Sequence, residues 1–81
     1  MIIGVPRERK TLEKRVAITP YAAAELIKAG HTVLVERDAG LGSHFSNDDF
    51  GTVGCTIADS LRQVWSDAEL VLKVKEPHEE E

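Results

Sequence analysis

The 81-residue sequence predicts an α/β fold built on a parallel sheet, and three observations carry the prediction. Ile2 to Val5 is a short apolar run rich in β-branched residues and ended by Pro6, as expected of a strand buried on both faces. Thr19-Pro20 opens a stretch in which Ala23, Leu26 and Ile27 recur at helical spacing. A second apolar run, Thr32 to Val35, follows. Strand, helix and strand in that order make a βαβ unit, whose strands are parallel and whose crossover is right-handed.

Each element has a local reason. The Thr19 hydroxyl can cap free backbone N–H groups, and proline is tolerated at the first helical position. Gly30 suits the left-handed residue that ends a helix. Beyond Glu36 the chain turns polar and glycine-bearing, and a short helix is expected from about Asn47 to Val53, closed by Gly54. Ser46 is its cap, in a capping box that uses Asp49 where glutamate or glutamine is usual. Cys55 to Ile57 reads as a brief third strand. Asp59 or Ser60 caps a further helix with Leu61, Val64 and Trp65 on one face, stopping near Ser66-Asp67. Leu70 to Lys75 reads as the last strand, with Leu70, Leu72 and Val74 on one face and Val71, Lys73 and Lys75 on the other. Pro77 ends it, and the acidic tail follows.

The connection from Pro6 to Thr19 is far longer than the roughly 2 to 6 residues of an ordinary βα loop, and connections of that length are functional or disordered. It carries Arg7, Arg9, Lys10, Lys14 and Arg15 against Glu8 and Glu13, in a chain whose net charge is −4. A cationic loop on an acidic body, at the end of a strand where α/β sheets take their ligands, is a candidate anion site.

Composition narrows the function classes. Hydrophobic content of 42% with 30% charged residues is that of a globular chain rather than a disordered one. A pI near 5.3 and a basic loop without interleaved aromatics argue against nucleic acid. Cys55 is the one cysteine, so a disulfide framework cannot form within the chain and a reducing compartment is the simplest expectation. It is expected to be a buried thiol. The start of the chain resembles no signal peptide, and no run approaches the roughly 20 apolar residues of a membrane span. The expectation is a cytoplasmic protein without a membrane role.

Among candidate site residues, Arg15 comes first, because a guanidinium grips a carboxylate with two parallel hydrogen bonds and stays charged at any working pH. The plain alternative is a solvated surface arginine. Lys75, at the exit of a parallel strand, faces the crevice where doubly wound sheets bind ligands, and its plain alternative is a stem that reaches to water. Gly40-Leu41-Gly42 begins like a dinucleotide fingerprint, but Phe45 stands where the third glycine belongs and the stretch follows the second strand. Those glycines are read as turn residues. His31, His44 and His78 have no metal-ligand spacing with one another or with Cys55, so no metal site is expected. The chain has no P-loop, nucleophile elbow or triad, and the residues alone specify no reaction.

The blocks MIIGVPRE, RVAITP, KAGHTVLVE, AGLGS and ELVLKVKEP occur in this order over nearly the whole chain. Together they resemble the N-terminal segment of the alanine dehydrogenases, whose relative, the alpha subunit of the proton-translocating nicotinamide nucleotide transhydrogenase, shares the GVPRE and RVA blocks. The resemblance implies a partial N-terminal, substrate-side domain over residues 1–81, Rossmann-like (flavodoxin-like) in its sheet. It implies substrate contacts from Arg15 and Lys75, and Lys75 favours the dehydrogenase over the transhydrogenase. The implied reaction is the NAD-dependent interconversion of L-alanine with pyruvate and ammonia, serving L-alanine catabolism, in a homo-oligomer.

NAD and the catalytic histidine and aspartate would belong to a part of the family's chain lying beyond this one, which leaves His78 without a catalytic role. On this reading the chain is a fragment, inactive by itself, with no catalytic, cofactor-binding or metal residues of its own. The alternatives are a fragment of the transhydrogenase subunit and a non-catalytic α/β module that binds anions or a partner chain.

Overall fold

The computed structural model describes residues 1–9 and 15–74. The elements are β1 (Ile2–Val5), α1 (Pro20–Lys28), β2 (Thr32–Glu36), a single 3-10 turn (Leu41–Ser43), α2 (Asn47–Thr52), β3 (Thr56–Ala58), α3 (Leu61–Asp67) and β4 (Leu70–Val71). The four strands form one parallel sheet in the order β3-β2-β1-β4. The expected α/β class is therefore observed. The order is the one with which a Rossmann sheet begins, and it reverses direction between β1 and β4.

The caps are those the sequence predicts. Thr19 Oγ1 accepts from the Ala22 N–H at 3.1 Å, and Gly30 takes the left-handed conformation after the Ala29 C-cap. The Ser46 hydroxyl accepts from the Asp49 N–H while the Asp49 carboxylate accepts from the Ser46 N–H, completing the capping box. Ser60, rather than Asp59, caps α3, accepting from the Gln63 N–H.

Two cores lie on opposite faces of the sheet. Val5, Val33 and Val35 pack with Ala23 of α1 and Phe50 of α2, whereas Leu34 and Ala58 pack with Val64 of α3. Side chains alternate across a strand, so β2 supplies Val33 and Val35 to one core and Leu34 to the other. On the α3 face, β1 presents Gly4. A Cβ there would lie 2.6 Å from the Ala68 Cβ and 2.9 Å from Val64 Cγ1. The glycine is what lets α3 cross β1 closely.

Two strands differ from expectation. The third is shifted by one residue, to Thr56–Ala58. The fourth, expected over Leu70 to Lys75, pairs only over Leu70–Val71 among the described residues. The cause is Pro6. The Leu72 N–H still donates to the Gly4 carbonyl at 2.9 Å, but the next rung of a parallel ladder needs an N–H from Pro6, which has none.

Candidate functional site

β1 and β2 run in register, Val5 beside Val35, so the residues that follow them emerge together at the carboxyl end of the sheet. The chain after β1 is fastened there by two buried ion pairs. Arg9 meets Glu36, the last residue of β2, with Nη1 to Oε1 at 2.9 Å and Nη2 to Oε2 at 2.5 Å. The Arg7 N–H also donates to Glu36 Oε1 at 2.9 Å. On the other side Glu8 faces the exit of β4: its Oε1 lies 3.4 Å from Lys73 Nζ, and its Oε2 accepts from the Val74 N–H at 2.9 Å.

Burial separates these pairs from ordinary surface contacts. The side chains of Arg9 and Glu36 are 9% and 8% exposed and those of Lys73 and Glu8 are 7% and 2%. Arg37 and Asp59, by contrast, meet in open solvent, where such pairs contribute little. Arg9's share of the loop's positive charge is thus committed to an internal pair.

A cleft of about 340 Å³ at this end of the sheet is lined by Arg7, Glu8 and Arg15 from the β1 side and by Asp38, Leu41 and Gly42 from the chain after β2. Arg15 is exposed and borders this space, where sequence reasoning puts an anion contact. Asp38 is held back by Asn47, whose side chain accepts from the Asp38 N–H at 2.8 Å and donates to the Asp38 carboxylate at 3.0 Å. Lys75, the second expected contact, lies outside the described residues, as does His78.

The remaining candidates take structural roles. A Cβ on Gly40 would meet Phe50 Cε2 at 2.6 Å and the Phe45 backbone oxygen at 2.8 Å, so this glycine serves the packing of α2. The stretch after β2 is a 3-10 turn closed by left-handed His44, and it does not fit a dinucleotide pyrophosphate, which needs a glycine turn feeding the N-terminus of a helix. Cys55 is buried, and burial pushes its thiol up from 9.0 to about 11, the opposite of what a nucleophilic cysteine requires. Among the described residues no three His, Cys, Asp or Glu side chains gather as metal ligands.

Sequence reasoning missed the roles of Glu8, Glu36 and Lys73. The available signal was a charged residue at or just past the end of a buried strand, where the register of β1 and β2 brings Glu36 beside the start of the loop.

Residues 4–81 match the family described as alanine dehydrogenase/PNT, N-terminal domain. The chain belongs to this family. Among its relatives, alanine dehydrogenase of Mycolicibacterium smegmatis is 52% identical over 81 residues, and that of Bacillus subtilis is 56% identical over the same length. Each alignment covers 100% of this chain, with 22% and 21% of the respective relatives. The chain thus spans about a fifth of the length of the curated relatives it matches.

A solved L-alanine dehydrogenase superposes with a TM-score of 0.93 at 42% identity, covering 96% of this chain and 21% of that one. A transhydrogenase from Sinorhizobium meliloti superposes at 0.85 with 28% identity, over 99% and 24% of the two chains. Within the alanine dehydrogenase/PNT family this chain is therefore more similar, in sequence and in fold, to these dehydrogenases than to that transhydrogenase.

Proposed function

We propose that this chain is the substrate-side, N-terminal part of an NAD-dependent alanine dehydrogenase that interconverts L-alanine with pyruvate and ammonia. The observation that carries the reading is Arg15 on a cleft at the carboxyl end of a parallel sheet, in a chain of this family. Ligands of such sheets bind in that crevice. Pyruvate and alanine both present a carboxylate, which matches a guanidinium in shape and charge. Lys75 follows the exit of β4 by four residues and supplies an ammonium for the carbonyl oxygen, where negative charge develops as the carbonyl is reduced.

The nicotinamide cofactor provides the hydride. Its binding is assigned to the remainder of the longer protein, together with the proton-transfer groups. No helix among the described residues is long and apolar enough to cross a membrane, and the reading includes a cytoplasmic homo-oligomer acting on small molecules. The transhydrogenase reading rests on the weaker of the two structural likenesses.

The test is kinetic. In the longer enzyme carrying this N-terminus, Arg15→Ala and Lys75→Ala, made separately, are each expected to cost about 2 to 4 kcal/mol of transition-state stabilisation, roughly 30- to 1,000-fold in rate. The loss falls on pyruvate, with NADH affinity little changed. Unaltered turnover of pyruvate by both variants would overturn the assignment.

A further inference from the structure

Past Val71 the sheet no longer holds β4 to β1, because Pro6 cannot donate the next rung. The Glu8 carboxylate takes over. One oxygen accepts from the Val74 N–H at 2.9 Å and the other faces Lys73 Nζ at 3.4 Å. Both side chains are more than nine-tenths buried. We propose that Glu8 and Lys73 are a positioning pair: they fix the backbone at Val74, the residue before Lys75, against the loop that carries Arg7 and Arg15.

Energetics favour a geometric role. Removing two charges from water costs about as much as their attraction returns, and apolar substitutes of similar size often leave a protein equally or more stable. A salt bridge is therefore a weak means of stabilising this corner, but it is directional. The carboxylate is a charged acceptor, whose hydrogen bonds are shorter and stronger than neutral ones. Its location is the second argument. The pair bridges β1 and β4, the two strands between which the sheet order reverses, and that reversal is where such folds place their ligands. One arm of the bridge is the chain leading to Arg15 and the other is the chain leading to Lys75. A shift of about 1 Å in a substrate contact is enough to cost 100-fold in rate, so a rigid tie at the base of both arms has a direct kinetic consequence.

The inference rests on the reading of Arg15 and Lys75 as substrate contacts, and the experiment separates the two. In the longer enzyme, Glu8→Gln and the double variant Glu8→Gln/Lys73→Met are compared with the parent. The readings are KM for pyruvate, KM for NADH, melting temperature and amide exchange at Val74. Glu8→Gln keeps the shape and an acceptor oxygen but removes the charge, and the double variant removes both charges of the pair.

The expected result in the double variant is a melting temperature at or above the parent's and an unchanged KM for NADH. Its KM for pyruvate should rise about tenfold, the factor a hydrogen bond to a charged group represents, with faster exchange at Val74. A purely structural pair would leave the pyruvate KM and the Val74 protection of the folded double variant at parental values, and either one staying there overturns the inference. Should these variants not fold, Glu8→Asp gives the same two readings, since it keeps the charge and draws it back from Val74. A parent that does not turn over pyruvate would overturn the proposed function instead. Val74 exchange then judges the pair by itself: faster exchange on losing the Glu8 charge sustains it, and parental exchange overturns it.

Discussion

Glu36 closes β2 with a carboxylate that is 8% exposed and receives the Arg9 guanidinium and the Arg7 N–H together. Truncating it would leave Arg9 buried without its bidentate partner, and breaking a buried pair from one side costs far more than the pair is worth. Glu36→Ala is therefore expected to lower unfolding stability by about 3 kcal/mol, measured by urea titration at neutral pH. A loss below about 1 kcal/mol, the level of an exposed pair, would contradict the buried geometry.

Cys55 supplies a pH-dependent counterpart. Its folded thiol titrates at about 11 against 9.0 ordinarily, so the folded state favours the neutral form. Below pH 9 neither state is ionised and stability is unaffected. Between pH 9 and 11 the unfolded chain releases a proton that the folded chain retains, and stability falls. The full shift is worth about 2 to 3 kcal/mol. Stability of the parent minus that of Cys55→Ala should decline over this interval; a difference that stays flat to pH 11 would show that the thiol is not buried as described.

At the scale of elements, α2 illustrates how much local chemistry is readable in a sequence. It is a six-residue helix, too short to persist unaided, yet Ser46 and Asp49 announce it through the capping box. Ser46→Ala should cost about 1 kcal/mol, read as a lowered urea midpoint with an unchanged slope. Because α2 supplies buried Phe50, loss of the cap is felt in the core. Gly4 marks the limit of such reading. Its neighbours Val64 and Ala68 are remote in sequence, so no local pattern reveals that a methyl group there would meet them at 2.9 and 2.6 Å. Gly4→Ala is expected to destabilise by about 1 to 3 kcal/mol, the range for overpacking, and a neutral effect on thermal unfolding would contradict the close crossing of α3 over β1.

β4 is the instructive difference. Alternation over Leu70 to Lys75 suggests a six-residue strand, but a strand's length is set by its neighbour as well as by its own pattern. Pro6 lies in β1's continuation, and its consequence for β4 requires knowing that the two strands are adjacent. The same holds for the site. Arg15 is legible as a loop cation, and the structure sets it on the cleft. Glu8, in the same loop, is legible only as a charge, because its partner Lys73 is distant in the chain.

At the scale of the whole molecule, the doubly wound sheet explains why a site forms at this corner. The crossover from β3 carries the chain past β2 to the far side of β1, so the strand order reverses between β1 and β4, and the cleft that Arg15 borders opens beside that point, between the chains that leave β1 and β2. On this account the 81-residue chain by itself produces no NADH from alanine and NAD, because the proposed function assigns the nucleotide to the remainder of the longer enzyme. Turnover by the pure chain would contradict that.

The central claim is that Arg15 and Lys75 hold one substrate between them. The most direct measurement is a crystal structure of the longer enzyme with pyruvate and reduced cofactor bound. The account predicts the pyruvate carboxylate within about 3 Å of the Arg15 guanidinium, and the carbonyl oxygen within the same distance of Lys75 Nζ. Pyruvate bound away from this crevice, or in it without contact to either side chain, would contradict it.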